Sequence, residues 1–373
     1  MIEGLSPACT LFARLCEIPS PSGHEQAMAD AVVRELERMG ARVTEDDAST
    51  MVEQAGCNNI IARWEPTAPG TPIMFCAHLD TVPVVAPIEV VQDGEWLTNA
   101  NEAILGGDDK AAVAAMLHAV DRIVSEGRPH AGIELVFTPC EEVGLKGAAW
   151  FDPSVLHAAF GFVYDHTGEV GGIVTSAPTH KEIEATFRGA AAHAGIQPEE
   201  GRSAIAAASR AIAAMPLGRI DAATTANVGT IHGGSADNVV PDTCVVTGEC
   251  RSRDPEALDR QLTAMVDALT WAGTECECDV EIRVRHHFTG YALAEDAPQV
   301  VMARQALEDC GVEPELKASG GGSDVNALLV NGFPSVNLCN AMRNVHTPDE
   351  RIRARDVDLM VDVTLAIVAR ALA

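Results

Sequence analysis

Histidines and carboxylates stand at the ends of apolar runs in this chain. His78 and Asp80 close the run 71–78. Side chains at i and i+2 of a strand share a face, and open α/β sheets place ligand sites beyond the carboxyl ends of their strands. A His with a carboxylate beside it makes a metal ligand and its orienter; the plainer reading is a strand-end turn with a satisfied His. Asp108 and Asp109 follow two glycines and open an Ala-rich segment. Acids there ordinarily just face the helix dipole, although the glycines let the backbone bend and aim a carboxylate. LGGDDKAA is no P-loop, because it lacks Gly-Lys-Ser/Thr and puts acids where phosphates would sit. Glu141 and Glu142 follow IELVFTPC, and adjacent acids call for a raised pKa or a nearby cation. Asp165 ends GFVYD, and His346 lies in NVHTPDE beyond a Gly-rich loop and the last apolar run. Each alone reads more readily as structural. Together, five strand ends of one sheet deliver a His or a carboxylate, which is hard to explain without a bound cation.

Two His and three or more carboxylates suit zinc, manganese or cobalt better than magnesium, and suffice for two ions sharing one bridge. Charge counting agrees. Asp108, Glu142 and Asp165 with a bridging hydroxide balance two divalent ions, leaving a glutamate free as a base.

The elements that must position these groups follow from periodicity. Met28, Ala31, Val32, Leu36 and Met39 predict a helix over 25–39, the first whose period stands out, with Ser22 and Glu25 as a capping box. Strands are predicted at 59–63, 71–78, 133–138 and 159–164, with an Ala-rich helix over 109–126. This rhythm means βαβ units and a mostly parallel sheet. After Gly172 the pattern changes: 175–189, 243–251 and 280–288 read as antiparallel strands, with helices at 203–215 and 255–272. That is an inserted α+β domain. A helix at 298–310, a helix opened by 320–323, a buried strand at 334–339 and a C-terminal helix at 354–371 return the chain to the first domain. The expected division is 1–175 with 293–373, and 176–292 as the insertion.

Composition bounds the partners. The 373 residues carry 54 acids against 26 bases, a net charge of −28, with only four lysines. Such a chain offers no basic cluster for nucleic acid or anionic lipid. No stretch has the roughly 20 apolar residues of a membrane span, and the opening lacks the order of a secretory signal, so a cytoplasmic protein is expected. The eleven cysteines are odd in number and scattered, and read as buried hydrophobes; Cys276 and Cys278 alone lack the second pair of a structural zinc site.

Ten blocks in order, IPSPSGHE, CAHLDTVP, LGGDDKAAVA, TPCEEVGLKGA, VYDHTG, AAHAG, DNVVPD, GECRSRD, GGGSDVNAL and NVHTPDERI, resemble the M20 metallopeptidases, most closely their tripeptidase (peptidase T)-like branch. The resemblance implies an α/β zinc-exopeptidase-like catalytic domain with a mostly parallel sheet flanked by helices, two zinc ions per subunit, and an inserted α+β lid or dimerisation domain. It also implies a homodimer formed through that lid. Motif by motif, His78, Asp108 and Asp165 would hold one zinc, and Asp108, Glu142 and His346 the other, with a cis peptide after Asp108. Asp80 would orient His78, and Glu141 would be the general base. His193 would be an oxyanion donor on the lid. Asn238 would contact substrate, and Arg251 would clamp a substrate carboxylate, with Arg253 competing and a surface salt bridge as the plainer reading. Gly321 and Ser323 would offer backbone amides to substrate, where the plain reading is a helix entry. Ala111 and Ala112 replace family glycines, and Cys140 stands where an acid is frequent. The implied activity is removal of the N-terminal residue from short peptides, by zinc or by cobalt or manganese. An N-acyl amino acid deacylase or desuccinylase, or a non-catalytic metal-binding relative, would carry the same fold.

Overall fold

The computed structural model describes residues 4–372; the outermost residues of the first expected domain, 1–3 and 373, lie outside the described residues. The chain forms two compact units, one of residues up to 176, 292–319 and from 323 on, the other of 177–291 with 320–322.

In the first unit the sheet runs Arg42–Glu45, Ile60–Trp64, Ile133–Thr138, Ile73–His78, Phe160–His166, Ser335–Cys339, Gly172–Ala177. Ile73–His78 is parallel to both neighbours, and Phe160–His166 is parallel to Ser335–Cys339. Every residue of Ile73–His78 and Ile133–Thr138 is buried, as continuous apolar runs require when helices cover both faces of a sheet. The helices Pro7–Cys16, Lys110–Ser125 and Ala354–Arg370 pack on one another. Alanines at 111, 112, 114, 115 and 119, all buried, let the middle one approach its partners closely.

Register decides where the chemistry emerges. His78 stands opposite Thr138, and Cys76 opposite Val163. His78, the Glu141–Glu142 pair and Asp165 therefore leave three adjoining parallel strands at the same end. The expectation of five strand ends needs correction. Asp108 sits in the loop before Lys110–Ser125, and His346 lies in a loop well past Ser335–Cys339, so loops deliver two of the five groups.

Locally the structure adds elements that the period does not show and corrects one cap. The first helix is Pro7–Cys16, with Ser6 accepting from Cys9 N and Pro7 starting the turn, a short segment whose period did not stand out. The second helix, Gln26–Arg38, has no capping box: Ser22 Oγ donates to Asp80 at 2.7 Å, and Glu25 accepts from the amides of Gly23 and Gly56 at 2.8 Å each. A three-stranded sheet of Val90–Asp93, Trp96–Asn99 and Ile352–Arg353 was also not anticipated, since its strands are too short to show a period.

The second unit is a five-stranded antiparallel sheet in the order Gly218–Arg219, Thr224–Gly233, Thr243–Ser252, Thr179–Arg188, Asp279–Phe288. Ile183, Ala185 and Phe187 alternate along one strand and Val246 and Cys250 along the next, meeting Met265 and Leu269 of Pro255–Glu275. That helix starts where Asp254 accepts from Glu256 N and Ala257 N, and Ser203 caps Ala204–Ala214 in the same way. All eleven cysteines are free, and only Cys276 and Cys310 are not fully buried. Among the described residues no helix is long and apolar enough to cross a membrane.

Candidate metal centre

His78 is 2% exposed, and its Nδ1 lies 2.9 Å from the main-chain oxygen of Asp80. That contact places the proton on Nδ1 and leaves the Nε2 lone pair free to ligate. Nε2 faces Asp108 Oδ1 at 3.9 Å and Asp165 Oδ1 at 4.0 Å. On the other side of the same carboxylate, Asp108 Oδ2 lies 3.5 Å from His346 Nε2, which is also 3.0 Å from Glu142 Oε1. The structure thus brings together two groups of three donors, His78 with Asp108 and Asp165, and Asp108 with Glu142 and His346. Each oxygen of Asp108 faces a different group. An ion with ligand bonds of about 2.0–2.2 Å in tetrahedral array separates its donors by about 3.4 Å, near the spacings found.

The alternative acid, Asp109, turns inward. It is fully buried, one oxygen accepts from Asn340 Nδ2 at 3.3 Å, and the other has no partner. The Asp108–Asp109 peptide is cis, as the resemblance implies.

The electrostatics are those of a site short of positive charge. Burial and then the Asp108, Asp109 and Asp324 carboxylates push Asp165 well up, with His78 opposing. Burial and Asp165 do the same to Glu141. Burial would lower His78, yet Asp80, Glu141 and Asp165 drive it well above an ordinary imidazole. Hydrogen bonds to Asp108 and Glu142 lift His346 to about 10. Asp165 Oδ2 is buried without a hydrogen-bond partner among the described residues. Uncompensated buried carboxylates are costly, and divalent cations between these donors would compensate them. The residues present fit a two-cation centre.

Around the donors the sequence reading is partly revised. Asp80 touches the His78 ring through its carbonyl, while its carboxylate is 3.6 Å from Nδ1. The carboxylate instead accepts from Glu141 N at 2.9 Å, Glu142 N at 3.1 Å and Ser22 Oγ, and these bonds with His78 hold its pKa down against burial. Asp80 therefore also braces the turn that carries both glutamates. Cys140 has φ +58° there, and its thiol donates to Glu25 Oε1 at 3.4 Å, so a buried carboxylate is served where the family has another acid.

Three residues escaped the sequence reading. Glu350 accepts from the amides of Gly106, Gly107 and Asp108 at 2.9, 3.0 and 3.1 Å. Asn337 Oδ1 receives Asp165 N at 2.8 Å. Lys110 is buried and donates to Ile18 O at 2.6 Å, and burial lowers its pKa to about 8. Glu350 lies in the block NVHTPDERI and Lys110 in LGGDDKAAVA, but neither is given a role by its block, and Asn337 lies in none.

None of the remaining candidates is a member of either donor group. In the second unit His193 and Asn238 are neighbours: His193 bridges Val239, Ala194 N donates to Asn238 O at 2.9 Å, and both are exposed. Arg251 is bidentate on Glu249 at 2.8 and 3.2 Å, the salt bridge of the plainer reading. Arg253 reaches Ala222 O at 2.8 Å. Gly321 is half-buried. In the first unit Ser323 is buried and caps Asp324–Val330, its amide donating to Asn326 Oδ1 at 3.1 Å.

Residues 176–285 match the peptidase dimerisation domain (M20_dimer), and residues 59–209 match peptidase family M28. The chain is 35% identical over 360 residues to the uncharacterized protein YqjE of Bacillus subtilis, covering 96% of this chain and 97% of that one. It superposes on the crystal structure of aminopeptidase PepT from Bacillus cereus with TM-score 0.88 and 33% identity, over 99% of this chain and 100% of that one. It superposes on a tripeptidase from Staphylococcus aureus with TM-score 0.93 and 32% identity, at the same coverage. With that likeness along its whole length and two carboxylate–histidine donor groups sharing Asp108, this chain belongs to the M20 metallopeptidases, in their tripeptidase-like branch.

Proposed function

We propose that the protein is a metal-dependent aminopeptidase that releases the N-terminal residue of short peptides, tripeptides among them. The observation that carries this reading is the pair of donor groups sharing Asp108, with Glu141 next to one of its ligands. Two divalent cations, zinc or else cobalt or manganese, would be held by His78, Asp108 and Asp165 and by Asp108, Glu142 and His346. When bound they polarise the scissile carbonyl and make water acidic enough to lose a proton near neutral pH.

The chain's own residues do the rest. Glu141 Oε takes the proton of the attacking water and returns it to the leaving amine nitrogen; among the described residues no donor binds its carboxylate, which leaves it free for that task. Asp80 holds the Glu141 and Glu142 amides, fixing where both carboxylates point. His193 is assigned as the oxyanion donor and Asn238 beside it as a substrate contact. Arg251 can clamp a substrate carboxylate only by exchanging Glu249 for it. Gly321 and the amide-rich entry to Ser323 are assigned to the peptide backbone of the substrate. Residues 176–292 act as lid, and their match to a dimerisation domain supports a homodimer formed through it.

The test is amine release from di-, tri- and tetrapeptides beside N-acetyl and N-succinyl amino acids, with purified zinc-loaded protein and a chelated control. Chelator-sensitive cleavage of free-amine tripeptides is the expected result. Cleavage of the acylated compounds alone moves the assignment to a deacylase, and silence across the panel with two cations bound makes the protein non-catalytic.

A further inference from the structure

The loop that carries His346 is closed at its base. Arg343 and Arg351 exchange both backbone hydrogen bonds at 3.0 Å. Inside it Thr347 Oγ1 donates to Asn344 O at 2.7 Å, and Glu350 N donates to Thr347 O at 3.1 Å. Asn344 and His346 have φ of 53° and 66°, a left-handed conformation that non-glycine residues keep only where the surroundings over-determine it. Trp96 supplies part of that determination. The guanidinium carbons of Arg351, Arg353 and Arg343 lie 4.6, 4.7 and 5.8 Å from its ring centroid, so the two closing residues of the loop both contact one aromatic ring.

The same loop has two working ends. His346 is on the outside, with its side chain 47% exposed, and Glu350 is at the inner end, 2% exposed. Glu350 spends its carboxylate on the other ligand loop: Oε2 takes Gly106 N, and Oε1 takes both Gly107 N and Asp108 N. Among the described residues it forms no ion pair, and three successive amides donate to its buried carboxyl group. One carboxylate therefore ties the backbone of Asp108, which faces both donor groups, to the loop that presents His346.

We propose that Glu350 is a positioning residue for the cation held by Asp108, Glu142 and His346, setting the distance between the bridging carboxylate and the imidazole. The inference rests on the two-cation reading above. It has an asymmetric consequence. Two of three donors in that group, Asp108 and His346, lie on loops tied by Glu350, against one of three in the group of His78, Asp108 and Asp165. Loss of the tie should weaken one cation site far more than the other, which a general loss of packing would not do.

The experiment titrates zinc into the metal-free full chain by calorimetry with a competing chelator, for the wild type, Glu350→Ala and Glu350→Gln, and records the melting of each metal-free protein. We expect two sites in the wild type, and in Glu350→Ala one site weakened by about 10–100-fold with the other far less affected, the range typical of groups that orient ligands. Glu350→Gln keeps Oε1 for Gly107 and Asp108 but turns an amide NH2 toward Gly106 N, so it should fall between. If Glu350→Ala binds two ions with wild-type affinities, the positioning role is overturned while the two-cation reading stands. A wild type that binds fewer than two ions overturns the underlying reading instead. Should Glu350→Ala not fold, Glu350→Gln decides: equal weakening of both sites, or lowered metal-free melting with both affinities unchanged, reduces Glu350 to scaffold and overturns the proposal.

Discussion

The general base proposed above, Glu141, has acidic neighbours that are committed elsewhere. Glu142 is turned to His346, and Asp165 and Asp108 are turned to His78. Glu141→Ala should keep its cations and lose about 10²–10⁴-fold in kcat, the usual contribution of a positioned general base. Metal content and kcat measured on one preparation check this, and full activity with two bound ions would place the base elsewhere. The identities of the five clustered donors were legible because ligand chemistry resides in the side-chain type, and five such groups beside apolar runs are conspicuous. What Asp80 does was only half legible. Its i+2 spacing from His78 predicted a shared face, but the turn after Thr138 brings the Glu141 and Glu142 amides onto its carboxylate, and no spacing rule encodes that encounter. Glu350 and Asn337 were invisible for the same reason, since they act through backbone amides remote in sequence.

At the scale of elements, the parallel strands and the long helices were legible because buried runs and a 3.6-residue period survive in the sequence. Short pieces were not: four-residue strands such as Val90–Asp93 and Trp96–Asn99 are too brief to show a period, and their partner Ile352–Arg353 is remote in sequence. The turn that carries the glutamates depends on Gly147. A Cβ there would meet Pro139 O at 2.3 Å, and Gly147 O also accepts from Asn59 Nδ2 at 2.9 Å. Gly147→Ala should cost about 1–3 kcal/mol by overpacking and lower kcat by displacing Glu141; melting and kinetics together check it, and an unchanged protein would show that the turn yields freely. In the second unit, Glu249 is held at about 2 by His180, whose Nε2 lies 2.9 Å from its Oε2, and then by Arg251, against burial. A depressed folded pKa gives stability that is present above the unfolded value of about 4.3 and lost as pH falls toward the folded one. The melting difference between wild type and Glu249→Gln should therefore be full at pH 6 and shrink steadily from pH 5 toward pH 3; a difference independent of pH would sever it from that charge.

For the whole molecule, the crowd of buried acids at the strand ends makes bound cations part of the stability. Chelation should abolish activity and lower the first melting transition, and zinc should restore both, because each ion bound at 100 times its Kd stabilises by about 2.7 kcal/mol. Identical melting with and without chelator would mean that the donor groups do not bind ions in solution. The charge of −28 is spread over a chain with few bases, which suits a solvated surface. The sequence by itself determined the class of fold, the break in pattern near Gly172 and the donor types of the centre, because these depend on local periodicity and on side-chain chemistry. Motif resemblance already named Asp108 as the bridge; only the tertiary structure shows its two oxygens turned to the two histidines with Asp109 turned inward, Asp80 serving two backbone amides, and Glu350 joining the Asp108 loop to the His346 loop. Those outcomes turn on which of two adjacent carboxylates a bent backbone points outward and on which amides it leaves unpaired, and such directions are fixed only when distant segments pack together.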